Sequence, residues 1–221
     1  MSVSFYKDAL RSMSRRSRLK KFDLLGRIFK PRPEDRVLDV GASGVTFTGY
    51  TFEDNYPFPS RIVGGGIDLR QIVEARRSYP QAQFAMFDGC ALPFPDKSFD
   101  LVFSNAVIEH LTGPAQQERF AREIMRVGRS WFITTPNYWF PFEAHYHLPF
   151  IQFLPIEAQR SYNRWLGGSI PKGQVQALAL LSRRALRELF PSSRIAGVRV
   201  TFWPETLVAY SIDPERGKMN H

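Results

Sequence analysis

Apolar positions along the chain follow two periods. From residue 4 to residue 29 they recur at helical spacing: Phe5, Tyr6, Ala9, Leu10 and Met13 form one cluster, and Phe22, Leu25, Ile28 and Phe29 form another. Pro31 and Pro33 end this leader. Beyond them the apolar residues come in short bursts of strand length, over residues 36–40, 61–69, 83–87, 99–105, 129–135, 195–202 and 206–212. Helical patterns lie between the bursts, at about 71–78, at 114–127 and at 175–190. In the second of these, Phe120, Ile124 and Val127 share a face and Pro114 stands at the first helical position. In the third, Val175, Leu178, Leu181, Ala185 and Leu189 do so.

Strands alternating with helices predict an α/β fold, a doubly wound, mostly parallel seven-stranded sheet with helices on both faces. The last two strands are joined through a short loop at Trp203-Pro204, too short for a parallel crossover, so they are expected as an antiparallel hairpin at the sheet edge. The organisation expected is a helical leader, residues 1–33, and one α/β domain, residues 34–221. All the strands lie beyond Pro33, so the sheet is expected to fold without residues 1–30. Two stretches break the alternation. Residues 46–60, rich in aromatics and prolines, do not read as a full helix. Residues 136–174 hold Trp139, Phe140, Phe142, His145, His147, Phe150, Phe153 and Trp165, an aromatic insertion of the kind that forms lids and pockets.

Charge changes this picture in one place. The net charge is +9, and residues 1–36 carry eleven Lys/Arg against four acids. A basic leader suits an anionic membrane surface, a nucleic acid or an acidic substrate, or it is a solvated helix face. It is also Arg- and Ser-rich in the manner of a transit peptide. The single cysteine, Cys90, rules out an intramolecular disulfide and points to a reducing, cytoplasmic compartment. No apolar run reaches the length of a membrane span.

In an open α/β sheet, ligands bind beyond the C-terminal ends of the strands, where strand order reverses. Four such ends carry suitable chemistry. The first burst runs into Asp39-Val40-Gly41-Ala42-Ser43-Gly44, whose glycines let backbone approach a ligand. The second ends at Gly66-Ile67-Asp68-Leu69, where an acid can accept both hydroxyls of a ribose. The third ends at Phe87-Asp88-Gly89-Cys90, where an acid can accept from an adenine amino group. The fourth ends at Ser104-Asn105. Alone, Asp68 is a helix cap and Asp88 a turn residue. Their joint spacing is what points to a nucleoside site.

With these motifs in place, residues 36–135 resemble the class I S-adenosylmethionine-dependent methyltransferases, of the ubiquinone-biosynthesis type. Besides the four ends, Asp88 to Phe94, Ser98 to Val102 and Val107 to Leu111 carry the likeness. The resemblance implies S-adenosyl-L-methionine as cofactor. Asp68 would hold the ribose and Asp88 the adenine amino group, with Leu69 and Met86-Phe87 beside the ring. Gly41, Gly44, Ser104 and Asn105 would meet the methionine end, Asp39 would order the loop, and Gly89 belongs to the adenine turn. The loop departs from the family's Gly-x-Gly-x-Gly by Ser43 and Val45.

Methyl transfer from a sulfonium is an in-line displacement, for which a protein mainly supplies alignment. A hydroxyl acceptor also needs a base, and His110, His145 and His147 are the candidates, with Glu143. His145 and His147 lack an evident third ligand, so no metal is expected. The aromatic insertion suits a small-molecule or lipid-like acceptor. A nucleic-acid methyltransferase and a non-catalytic protein on the same fold stay open. Against the first stands Ser104-Asn105-Ala106-Val107, which differs from the Asn/Asp-Pro-Pro-aromatic signature of base-amine methylation.

Overall fold

The computed structural model describes residues 3–42, 51–143, 148–165 and 178–217. Seven strands form one sheet: β1 (Val37–Val40), β2 (Ile62–Gly66), β3 (Gln83–Met86), β4 (Phe99–Asn105), β5 (Gly128–Pro136), β8 (Arg194–Val198) and β9 (Thr206–Ser211). Their order is β3-β2-β1-β4-β5-β9-β8. The first five are parallel, and β9 and β8 close the edge antiparallel. The doubly wound sheet with an edge hairpin is therefore as expected. Between the parallel and antiparallel parts the chain adds a two-stranded ribbon, β6 (Phe142–Glu143) and β7 (Leu148–Pro149).

Alternation along each strand divides the core. Val37, Leu101, Phe103, Phe132 and Val208 face α1 (Val3–Phe29) and the short α2 (Phe52–Asn55). Leu38, Val40, Val102, Ile133 and Leu207 face α4 (Pro114–Val127) and α6 (Arg183–Leu189). Alternate residues of each strand thus serve opposite layers, as the period of two demands. The remaining helices are α3 (Leu69–Ser78), which carries Ile72 and Ala75 against Phe84, and α5 (Ile156–Trp165) in the insertion. At Gly65, a Cβ would stand 2.2 Å from the Ala85 carbonyl oxygen, so a side chain there would part β2 from β3.

The leader packs against the sheet, with Leu25 and Phe29 buried in the α1 layer. The helix is pinned at its end by Arg216, whose guanidinium lies 3.8 Å above the Phe29 ring and holds Asp35 through two bonds of 2.6 and 2.8 Å. The helix expected over 175–190 starts only at Arg183, because Ser182 caps it and Leu181 bridges to Asn137 instead. Residues 166–177, Val175 among them, lie outside the described residues. Residues 51–61 supply α2 and a 3-10 turn, Pro59–Arg61, and α2 begins with a capping box between Thr51 and Asp54.

α1 crosses the sheet from strand starts to strand ends. Its C-terminal half packs on Val37 and Leu101, while Lys21 reaches Asn105 at the end of β4 and Ser17 reaches Thr206 beside the end of β5. At about 1.5 Å per residue, the turns before Ser17 add some 20 Å of helix.

Candidate active site

Strand order reverses between β1 and β4, so the crevice opens above Gly41 and Asn105. Gly41 adopts φ +94°, and a Cβ there would stand 2.2 Å from Cγ2 of Val107. Its N–H donates to the Gly65 carbonyl at 2.7 Å, so the chain turns off the sheet at this residue. Gly44 lies outside the described residues.

At the end of β2, Asp68 caps α3: Oδ1 accepts from the N–H groups of Arg70 at 2.9 Å and Gln71 at 3.4 Å. The cap uses one oxygen, and the exposed carboxylate has no second partner among the described residues. At the end of β3, exposed Asp88 likewise accepts through Oδ1 from the Cys90 N–H at 2.8 Å. Around these acids three large apolar side chains stand in solvent, Ile67 at 77%, Leu69 at 58% and Met86 at 53% exposure. Exposed aliphatic side chains gathered beside two carboxylates fit a flat, apolar-faced base with a polar sugar. Of the expected ring neighbours, Phe87 points into the core and Met86 faces outward. Gly89 has an interior role, for a Cβ there would meet Phe120 at 2.8 Å. Ser104 is buried and donates its hydroxyl to the Val40 carbonyl at 2.8 Å, tying β4 to β1 at the crevice floor.

Asp39 is buried, and its hydrogen-bonded neighbour is a second buried carboxyl, Glu53 of α2. Two carboxylates cannot share a hydrogen bond without a proton between them. Burial, then the Glu53 charge, push Asp39 well above the usual carboxylate range, and burial raises Glu53 as well. The pair clasps the two ends of the segment that leaves β1 and returns at α2. Thr51 and Tyr79 brace the return, their hydroxyls 2.8 Å apart and the Tyr79 hydroxyl donating to Asp54 at 3.1 Å.

Across the crevice, Asn105 Oδ1 accepts from Lys21 Nζ at 2.6 Å and from Thr134 Oγ1 at 2.8 Å. Lys21 is buried, and desolvation, with Arg18 adding to it, pushes its ammonium down to about 8. Glu109 is buried beside it and accepts from Thr135 Oγ1 at 3.1 Å. His110, next along the 3-10 turn Ile108–His110, is exposed at the rim. His145 and His147 lie outside the described residues. Among the described residues no cluster of His, Cys, Asp and Glu is arranged to hold a metal ion.

The aromatic insertion starts at the end of β5 and is rooted there by Asn137. Its N–H donates to the Glu205 carbonyl at 2.9 Å, its Nδ2 to the Pro204 carbonyl at 2.8 Å, and its Oδ1 accepts from the Trp139 N–H at 3.2 Å. Tyr138, Trp139 and Phe153 then pack ring on ring at 4.9 to 5.9 Å.

Lys21, Glu53 and Glu109 are site residues that pattern reading passes over. Glu109 stood inside a quoted motif, and the Thr-x-x-Asp capping pattern around Glu53 marks α2. Nothing local marks Lys21, whose partner is 84 positions away.

Residues 38–130 match the family model described as "Methyltransferase domain". A 2-methyl-6-phytyl-1,4-hydroquinone methyltransferase of Synechocystis sp. is 36% identical over 98 residues, 43% of this chain and 29% of that protein. A "Probable S-adenosylmethionine-dependent methyltransferase" of Mycolicibacterium smegmatis is 32% identical over 77 residues, 35% of this chain and 30% of that protein. The matches span from 18% to 40% of the length of these and the other curated relatives. Among solved structures, the PH0226 protein of Pyrococcus horikoshii OT3 shares the fold with a TM-score of 0.58 at 18% identity, covering 88% of this chain and 89% of that one.

Proposed function

We propose that this chain, which belongs to the class I S-adenosylmethionine-dependent methyltransferases through its methyltransferase domain, methylates a small-molecule or lipid-like acceptor. When bound, S-adenosyl-L-methionine supplies the electrophilic methyl group. Asp68 accepts the ribose hydroxyls with the oxygen its helix cap leaves over, and Asp88 accepts from the adenine amino group. Leu69, Ile67 and Met86 cover the base. The Asp39–Glu53 pair ties the end of β1 to α2 beside the methionine end.

The acceptor enters from the β4–β5 side. Asn105 is fixed there by Lys21 and Thr134, so its amide is set before any ligand arrives. His110 stands at the same rim and takes the proton of a hydroxyl acceptor. Lys21 and Glu109 keep the crevice floor polar while the insertion excludes water above it.

The observation that carries the acceptor class is the insertion rooted at the end of β5, which presents Trp139, Phe150 and Phe153 to solvent. Such a wall suits an apolar or ring-bearing acceptor. The cyanobacterial relative is named for a hydroquinone with a phytyl group, which is amphiphilic in the same sense. The test is calorimetric titration with S-adenosylmethionine and its demethylated product, then turnover on prenylated quinols against short polar phenols. Saturable cofactor binding with preference for the prenylated acceptors is the expected outcome. A chain that binds neither cofactor form overturns the reading.

A further inference from the structure

We propose that the rim above the crevice is a docking surface for an anionic lipid bilayer, formed by two aromatic loops and the basic α1. The contact proposed is a peripheral one, and no helix among the described residues is long and apolar enough to cross a membrane.

Three elements meet at this rim. The β8–β9 loop carries Phe202, 88% exposed, with Trp203 beside it. The insertion presents Trp139, Phe150, Phe153 and Leu154, all exposed. Asn137 joins these two loops by its bonds to Pro204, Glu205 and Trp139. α1 joins them through Lys20, whose Nζ donates to the Arg199 carbonyl at 2.6 Å, and through Ser17 at Thr206. Exposed Phe and Leu in such number have a cost in water that a bilayer interface removes, and Trp suits the interface itself.

Charge complementarity names the occupant. Residues 1–21 hold seven Lys/Arg against one acid, and Arg15 and Arg16 are exposed where the helix passes the rim. An anionic leaflet attracts such a cluster. A nucleic acid would ask for cations interleaved with the aromatics so that phosphates and bases are met together. Residues 138–154 contain neither Lys nor Arg, and the β8–β9 loop holds Arg199 alone. The apolar and cationic parts instead belong to separate elements, the two loops and α1, so that aromatics can enter the interface while cations meet headgroups.

The proposal deepens the reading of an amphiphilic acceptor and rests on it for its purpose. Cofactor binding and vesicle binding are separate measurements, so either can fail alone. The experiment is flotation of the full chain with phosphatidylcholine vesicles, with and without about one third phosphatidylglycerol, at low and high salt. Binding is expected to the anionic vesicles and to weaken with salt. Phe202→Ser with Trp203→Ser, and separately Arg15→Glu with Arg16→Glu, should each lower vesicle partitioning at least about tenfold while S-adenosylmethionine affinity holds. Absence of binding to either vesicle overturns the proposal. So does binding that both double variants leave intact, concentration-dependent dimerisation lost with Phe202, or tight binding to a short RNA without vesicle binding.

Discussion

Replacing Gly41 with Ala tests the crevice at its narrowest point. The substitution has two separable costs. The first is conformational: φ is +94° at this residue, where an L side chain is strained by about 1–2 kcal/mol. The second is steric. A Cβ would lie 2.2 Å from Val107 Cγ2, well inside the roughly 3.5–4.0 Å at which carbons rest. Val107 is β-branched and has few rotamers to retreat into, so overpacking adds about 1–3 kcal/mol. Gly41→Ala should therefore cost about 2–5 kcal/mol in urea unfolding and displace the loop that follows, weakening S-adenosylmethionine in calorimetry. Val107→Ala alone should cost about 1 kcal/mol, since that side chain is only partly buried. In the double variant the clash is gone and only the conformational cost remains. The two changes should then fall short of additivity by about 1–3 kcal/mol. Additivity within about 0.5 kcal/mol would refute the packing argument. Unchanged cofactor affinity in Gly41→Ala would detach this turn from the binding site.

Asp68→Ala should weaken S-adenosylmethionine more than about tenfold and also cost about 1 kcal/mol of stability, because it removes the proposed ribose acceptor and a cap together. Asp68→Asn keeps the cap, so calorimetry on it should show the affinity loss with little change in unfolding. Lys21 loses its proton at about 8 in the folded chain and at its ordinary, higher value when unfolded, so the native state holds fewer protons between these limits. Stability should rise with pH across that window, and Lys21→Met should flatten the slope in unfolding curves taken from pH 7 upward. The Asp39–Glu53 pair has the opposite sign: the folded chain keeps its proton after the unfolded chain has lost it. Stability should fall as pH rises above the ordinary carboxylate range, and Glu53→Gln, which brings its own donor, should remove that decline. Deleting residues 1–16 should leave a folded chain by circular dichroism, whereas deleting 1–30 removes buried Leu25 and Phe29 and should yield insoluble protein.

The parts visible in the sequence are those with a local signature. Strands buried on both faces read as apolar bursts, and α4 was bounded on its face by Pro114 at one end and the strand onset at Gly128 on the other. Asp68 and Asp88 were legible because a strand tip is recognised by what precedes it. The start of α6 was not, since Leu181 kept the helical period while its backbone was committed to Asn137. Glu53 and Lys21 escaped for a related reason. Charged residues ordinarily face water, and only the folded chain shows that these two are enclosed. α5 was hidden within the insertion, where aromatics obscure any period.

The clasp of Arg216 on Asp35 and Phe29 has a consequence for the order of events during synthesis. It closes a separation of 181 positions, and β9, the outer neighbour of β5, is made well after it. A nascent chain halted before residue 206 holds α1 without its final fastening and presents β5, with Trp131 and Phe132, as a bare hydrogen-bonding edge. Such a chain is one that a chaperone on the ribosome would have reason to hold, and the release point should coincide with the emergence of β9.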